Sequence, residues 1–223
     1  RLQAIELSIE LTTAIIEYAA FEGSESENDT TPEFESLLDL LTSSISEVLL
    51  SLLQHVEFRQ SSLACLNNLC WLFVKIGVPI DGKAGQNTWD AVIGLKDVEQ
   101  EEKVSLFSIL WALSIFGAEV ESVFVDQVID DFRQTLANTE IDATLKDEYL
   151  TRLVGFLGTV AKKQGDVQNN LKISKFFIEL LDSLPQISST LTVEILDIFY
   201  EIYSDSEFDY DGPVFVNEGY LAK

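Results

Sequence analysis

Apolar residues recur with a helical period along almost the whole chain. In "FESLLDLLTSSISEVLLSLL", Phe34, Leu37, Leu38, Leu41, Ile45, Val48, Leu49 and Leu52 fall on one face, the i, i+3, i+4, i+7 stripe of an amphipathic helix. The same pattern predicts further helices over roughly 2–21, 58–77, 84–95, 99–117, 121–138, 142–164, 168–184 and 188–203. Stop and start signals agree with it: Gly77 with Pro79 closes one helix, Asp166 caps the start of another, and Pro185 stops it. No convincing strand run appears; "VFV" at 214–216 is the one short extended candidate.

The helix starts near 58, 99, 142 and 188 lie about 41, 43 and 46 residues apart, with a second helix inside each interval, and a helix-pair period of ~40–47 is that of HEAT and armadillo repeats. The expected fold is therefore all-α, an α-solenoid of stacked HEAT/armadillo-type helix pairs over 1–203 forming a right-handed superhelix. "EGSESENDTTPE", 22–33, reads as a solvated acidic loop inserted in the first pair. "SSLACLNNLCWLF" resembles the third helix of an armadillo repeat, whose asparagine faces the concave groove. Asn67 or Asn68 with Trp71 would then bind the backbone of an extended peptide, although core packing is the plainer reading of Trp71 and Trp111. "KVSLFSILWALSIFG" is apolar nearly all round and belongs between neighbours on both sides.

Charge changes the picture. The 223 residues are 47% hydrophobic and 23% charged, ordinary for a folded chain, yet the net charge is -24. Between Leu2 and Phe58 stand twelve acids and no Lys or Arg, and between Phe176 and Ala222 ten acids and again no base. Such a field repels nucleic acid and anionic lipid and attracts basic partners; the plainer reading is solubility. The longest nearly uncharged stretch, Val104 to Ala118, is shorter than the ~20 residues a membrane span needs. Cys65 and Cys70 read as buried free thiols, and no signal peptide is recognised. A helical pattern already running at the second residue, with no Met anywhere, suggests a portion of a longer protein.

Catalytic machinery is not legible. There is one His, His55, and no HExxH, GxGxxG or P-loop pattern. "DVEQEEK" (97–103) serves the start of its helix, where negative charge favours the dipole. No enzyme activity, cofactor or metal is expected. Partner binding fits better, because helical stacks offer long concave surfaces. "SDSEFDYDGPVF" interleaves Asp205, Glu207, Asp209 and Asp211 with Phe208 and Tyr210. It reads as a tail, 204–223, whose Phe208, Tyr210 and Phe215 cap the last repeat while its carboxylates face outward; those carboxylates, with the ring faces of Phe208 and Tyr210 for Arg or Lys, are the candidate contacts of a basic partner.

The run "TVEILDIFYEIYSDSEFDYDGPVFVNEGYL", most specifically over 193–221, resembles the C-terminal end of the symportin family of armadillo/HEAT-repeat import adaptors. The resemblance implies a carrier and chaperone shuttling between cytoplasm and nucleus, with this chain as its C-terminal HEAT half. It implies two basic ribosomal proteins of the 5S ribonucleoprotein particle as cargo, one held by its Lys/Arg-rich N-terminal segment in the groove. It also implies an importin signal near the full-length N-terminus. The family's long acidic insertion contacts the second cargo; the loop at 22–33 is too short for that role, which places the insertion upstream. The alternatives are a general acidic import receptor indifferent to peptide sequence and a structural scaffold whose acidity serves solubility.

Overall fold

The computed structural model describes residues 2–25, 31–80, 82–184, 186–204 and 208–220. Among them the chain is all-α, with no strand, and it divides into two compact units, Arg1–Ala118 and Glu119–Lys223.

In the first unit α1 (Leu2–Glu25), α4 (Val56–Ile76) and α6 (Gln100–Ile115) lie side by side with α4 in the middle. A second layer holds α2 (Pro32–Leu40), α3 (Ser46–Leu52) and α5 (Gly82–Ile93), with α3 against α4 and α5 against α6. Local chemistry sets the ends. Thr31 accepts from the Phe34 N–H at 3.3 Å, and Pro32 opens α2. The expected loop at 22–33 is thus trimmed from both sides, since α1 continues to Glu25 and α2 begins at Pro32. Between α2 and α3 the stretch Leu41–Ile45 takes π-helical register, where Thr42 and Ser43 bond back to the Leu38 and Asp39 carbonyls at 2.9 and 2.6 Å. Hydroxyls that bond the preceding turn compete with the regular ladder and loosen it.

Gly77 ends α4 at φ +68, its N–H bonding Val74 O while Val78 N–H bonds Phe73 O, the paired closure that favours glycine. Glu99 and Glu102 form a capping box at the start of α6. Arg59 locks that corner, donating to the carbonyls of Leu53, Lys96 and Asp97 and pairing with Glu102 at 3.7 Å. As its apolar pattern requires, α6 buries most of its circumference.

In the second unit α8 (Ala143–Ala161) is central and packs on α7 (Ser122–Ala137), α9 (Val167–Asp182) and α10 (Ser189–Tyr203). Asp142, Asp166 and Ser188 cap α8, α9 and α10 by accepting first-turn N–H groups. The core is aromatic: Tyr149, Phe132, Phe156 and Phe177 are fully buried. The Tyr149 hydroxyl donates to Asp131, and burial first, then the Asp131 charge, pushes this phenol upward. α8 and α10 approach closely because Gly158 faces Ile198; a Cβ there would lie 2.7 Å from Ile198 Cδ1.

The extended candidate in the tail is helical instead. Asp211–Val216, which contains the "VFV" read as a short extended piece, forms a π-helical stretch against α9. No neighbouring strand edge exists among the described residues to pair with it, so its β-branched residues pack instead of extending.

Candidate partner-binding faces

The first unit gathers one group of the expected residues on the surface of α4. Asn67, Asn68 and Trp71 follow helical spacing and all are half-buried. The Trp71 ring meets Trp111 of α6 edge to face, centroids 5.1 Å apart, and its Nε1–H donates to Ser108 Oγ at 2.9 Å. Both tryptophans are therefore partly core and partly surface, rather than wholly one or the other. Asn68 Nδ2 donates to Glu17 Oε1 of α1 at 3.1 Å, and Asn67 Nδ2 to Asn68 Oδ1 at 3.5 Å. Asn67 Oδ1 is buried and has no hydrogen-bond partner among the described residues. A buried acceptor left unpaired costs about 1–3 kcal/mol. Phe107, one turn before Trp111, extends the aromatic line. Glu17 and Ser108 carry no sequence signal for this face: they sit 51 and 37 residues from the groups they bond.

The tail in the second unit is a different kind of surface. Tyr210 is 1% exposed, packed edge-on to Tyr203 and stacked with Phe208 at 5.4 Å. Phe215 stacks on Tyr203 at 4.7 Å, and Tyr220 reaches both Phe199 and Tyr203. Polar bonds pin the same rings. Tyr203 donates to Asn170 Oδ1 at 2.8 Å, Asn170 Nδ2 donates to Ala161 O, and the Ser174 and Tyr220 hydroxyls lie 2.9 Å apart.

The carboxylates are engaged too. Asp209 accepts from Gly165 N–H at 2.9 Å and Asp211 from Phe208 N–H at 3.2 Å, while Asp205 and Glu207 lie outside the described residues. Burial pushes the Tyr210 phenol up to about 12, with Asp211 and Asp209 adding to it. Of the aromatic residues expected to meet cations, Tyr210 is unavailable and Phe208 offers one part of its ring.

Burial raises the Cys65 thiol and pushes Cys70 up to about 12, so neither is poised as a nucleophile. Among the described residues no cluster of His, Cys, Asp or Glu would hold a metal, and no helix is long and apolar enough to cross a membrane.

No family model matches the chain. Two relatives do, and the chain is homologous to both. It is 28% identical over its full length to Synchronized import protein 1 of Saccharomyces cerevisiae, a match covering 37% of that protein. It is 25% identical, over 75% of its length, to the armadillo repeat protein involved in nucleocytoplasmic transport Syo2 of Schizosaccharomyces pombe, covering 26% of it. The chain thus spans a minor part of the length of each relative. Its all-helical, layered units agree with an α-solenoid of the armadillo kind.

Proposed function

We propose that the chain is the cargo-holding part of a non-enzymatic adaptor for transport between cytoplasm and nucleus, binding Lys/Arg-rich segments of basic ribosomal proteins of the 5S particle. The observation that carries this reading is the α1–α4–α6 face. It sets a half-open Trp71–Trp111 pair beside Asn67, Asn68 and the carboxylate of Glu17. An extended basic peptide asks for those groups: amides for its backbone, indole faces for Arg or Lys at roughly 0.5–2 kcal/mol each, and a carboxylate at the edge. The import and transport names of both relatives support the role.

The tail contributes differently. Its aromatic residues cap α10, and its carboxylates, Asp205, Glu207, Asp209 and Asp211, supply long-range attraction more than direct contact. Lys75, one turn beyond Trp71, and Lys103, one turn before Phe107, keep the α1–α4–α6 face from being uniformly acidic. That favours discrimination among peptides over the reading of an indifferent acidic receptor.

The test is fluorescence anisotropy with two labelled peptides at low and physiological salt: the basic N-terminal segment of the 5S-RNA-binding ribosomal protein, and a scrambled version of equal charge. Preference for the native order, weakened by Trp71→Phe and by Glu17→Gln, is the expected result. Equal, salt-labile binding of both peptides would overturn the reading.

A further inference from the structure

Helix α10 is apolar on two opposite sides. Leu191, Ile195, Ile198 and Ile202 are buried beneath it. At 100° per residue, Val193, Leu196 and Tyr200 point roughly the other way. They are 56%, 52% and 74% exposed. A third side is taken by the tail, whose rings cover Phe199 and Tyr203. The tail therefore leaves one stripe of α10 bare. That stripe runs i, i+3, i+7, the spacing with which one helix face meets another.

Acids border it. Asp197 is exposed one turn from both Val193 and Tyr200, and the exposed Glu201 pairs with Lys162. From Phe176 to Ala222 the chain has ten acids and no Lys or Arg. The chemistry of an occupant follows from these signs. A second copy docked through the same stripe would bring Asp197 against its own image, while Glu201 is already balanced by Lys162. One docked through α1, whose Leu7 and Leu11 are also exposed, would bring Glu6 and Glu10. Either pairing sets like charges together as apolar contact is made, which costs energy.

We propose that the Val193–Leu196–Tyr200 stripe docks an amphipathic helix from a basic partner protein, with apolar residues at i, i+3 or i+4 and i+7 and Lys or Arg on its flanks. Tyr200 is the anchor, a large ring with few rotamers to freeze. At 15 residues α10 is about 22 Å long, enough to seat three to four turns. This surface belongs to the second unit and is independent of the Trp71 face in the first.

The test uses the whole chain and a labelled synthetic peptide with Leu at i, i+3 and i+7 and Lys flanks, against the same residues scrambled so that no Leu stripe forms. The patterned peptide should bind more tightly than its scramble. Leu196→Gln with Tyr200→Gln, both solvent-exposed changes, should weaken it by on the order of tenfold or more, and Asp197→Asn by a few-fold. Circular dichroism of the variants should match the parent, and the preference for the patterned peptide over its equally charged scramble should survive Trp71→Phe. Equal binding of patterned and scrambled peptides, or of parent and double variant, would overturn the proposal. So would loss of the patterned-over-scrambled preference in Trp71→Phe, which would move the patterned peptide to the other face. Self-association in sedimentation velocity that the double variant abolishes would assign the stripe to a second copy and overturn it as well.

Discussion

Arg59 shows how much one side chain closes. Its side chain, 12% exposed, pairs with that of Glu102, 8% exposed, and reaches three carbonyls across the α3–α4 and α5–α6 corners. Asp97, the described non-glycine residue with positive φ, at 52°, sits in the segment it clamps. Removing the cation leaves a buried carboxylate partly uncompensated, a change that costs about 3–5 kcal/mol in comparable pairs. Glu102 keeps its bond from the Glu99 N–H at 3.0 Å, so Arg59→Leu is expected near the lower end, about 2–4 kcal/mol. Urea denaturation monitored through the tryptophans would read it, and a loss under 1 kcal/mol would mean that the corner holds without Arg59. At this scale the sequence is least legible. Arg59 looked like the first base after a long acidic run, and its partners lie up to 43 residues away. Trp71, Asn67 and Asn68 were readable as candidates from their helical spacing, whereas Glu17, which holds Asn68, was not.

Elements were far more legible, because each helix writes its own 3.6-residue period and its own caps. Every expected helix is present, with ends shifted by a few residues. What the pattern missed are departures from regularity: the π-helical stretch at Leu41–Ile45, the helical ends of the acidic loop, and the helical form of Asp211–Val216. Tail packing depends on rings 7 to 17 positions from Tyr203, beyond the reach of any local period.

Two outcomes follow at this scale. Gly158→Ala gains about 1 kcal/mol of helix propensity but places Cβ within 3.0 Å of three Ile198 atoms. Crowding a packed contact costs typically 1–3 kcal/mol, so a net loss of about 1 kcal/mol is expected. Pairing it with Ile198→Ala should recover part of that loss in a double-mutant cycle; strict additivity would show that the helices have room. The tail should also be alkali-labile. Burial raises Tyr203 and Tyr220 and pushes Tyr210 from 10.0 to about 12. These phenols are neutral when folded, so their contribution is complete below pH 10 and disappears as pH rises toward 12. Ultraviolet difference absorbance should show their ionisation delayed relative to a denatured sample and accompanied by loss of near-ultraviolet dichroism. Ionisation at pH 10 with the dichroism intact would mean that the tail rings are not held.

Charge is a property of the whole chain, and it gives salt two opposite effects. With -24 spread so that residues 2–58 and 176–222 hold no Lys or Arg, the folded state carries its own repulsion. Few described ion pairs relieve it: Arg133–Glu179, Lys172–Asp126 and Lys175–Glu218 are each exposed on at least one side, and surface pairs contribute only ~0–1 kcal/mol. Screening therefore removes more repulsion than attraction, and the midpoint of urea unfolding should rise between 0.02 and ~0.5 M NaCl as the Debye length falls from ~20 Å to ~4 Å. Binding of a basic peptide depends on the same field with the opposite sign and should weaken over that range. A solubility role alone predicts the first trend without the second. Measured on one preparation, a rising unfolding midpoint with flat peptide affinity would leave the acidity as surface chemistry. The paired opposite slopes would tie it to recognition, with the residual affinity at high salt giving the share that belongs to aromatic and amide contacts rather than to charge.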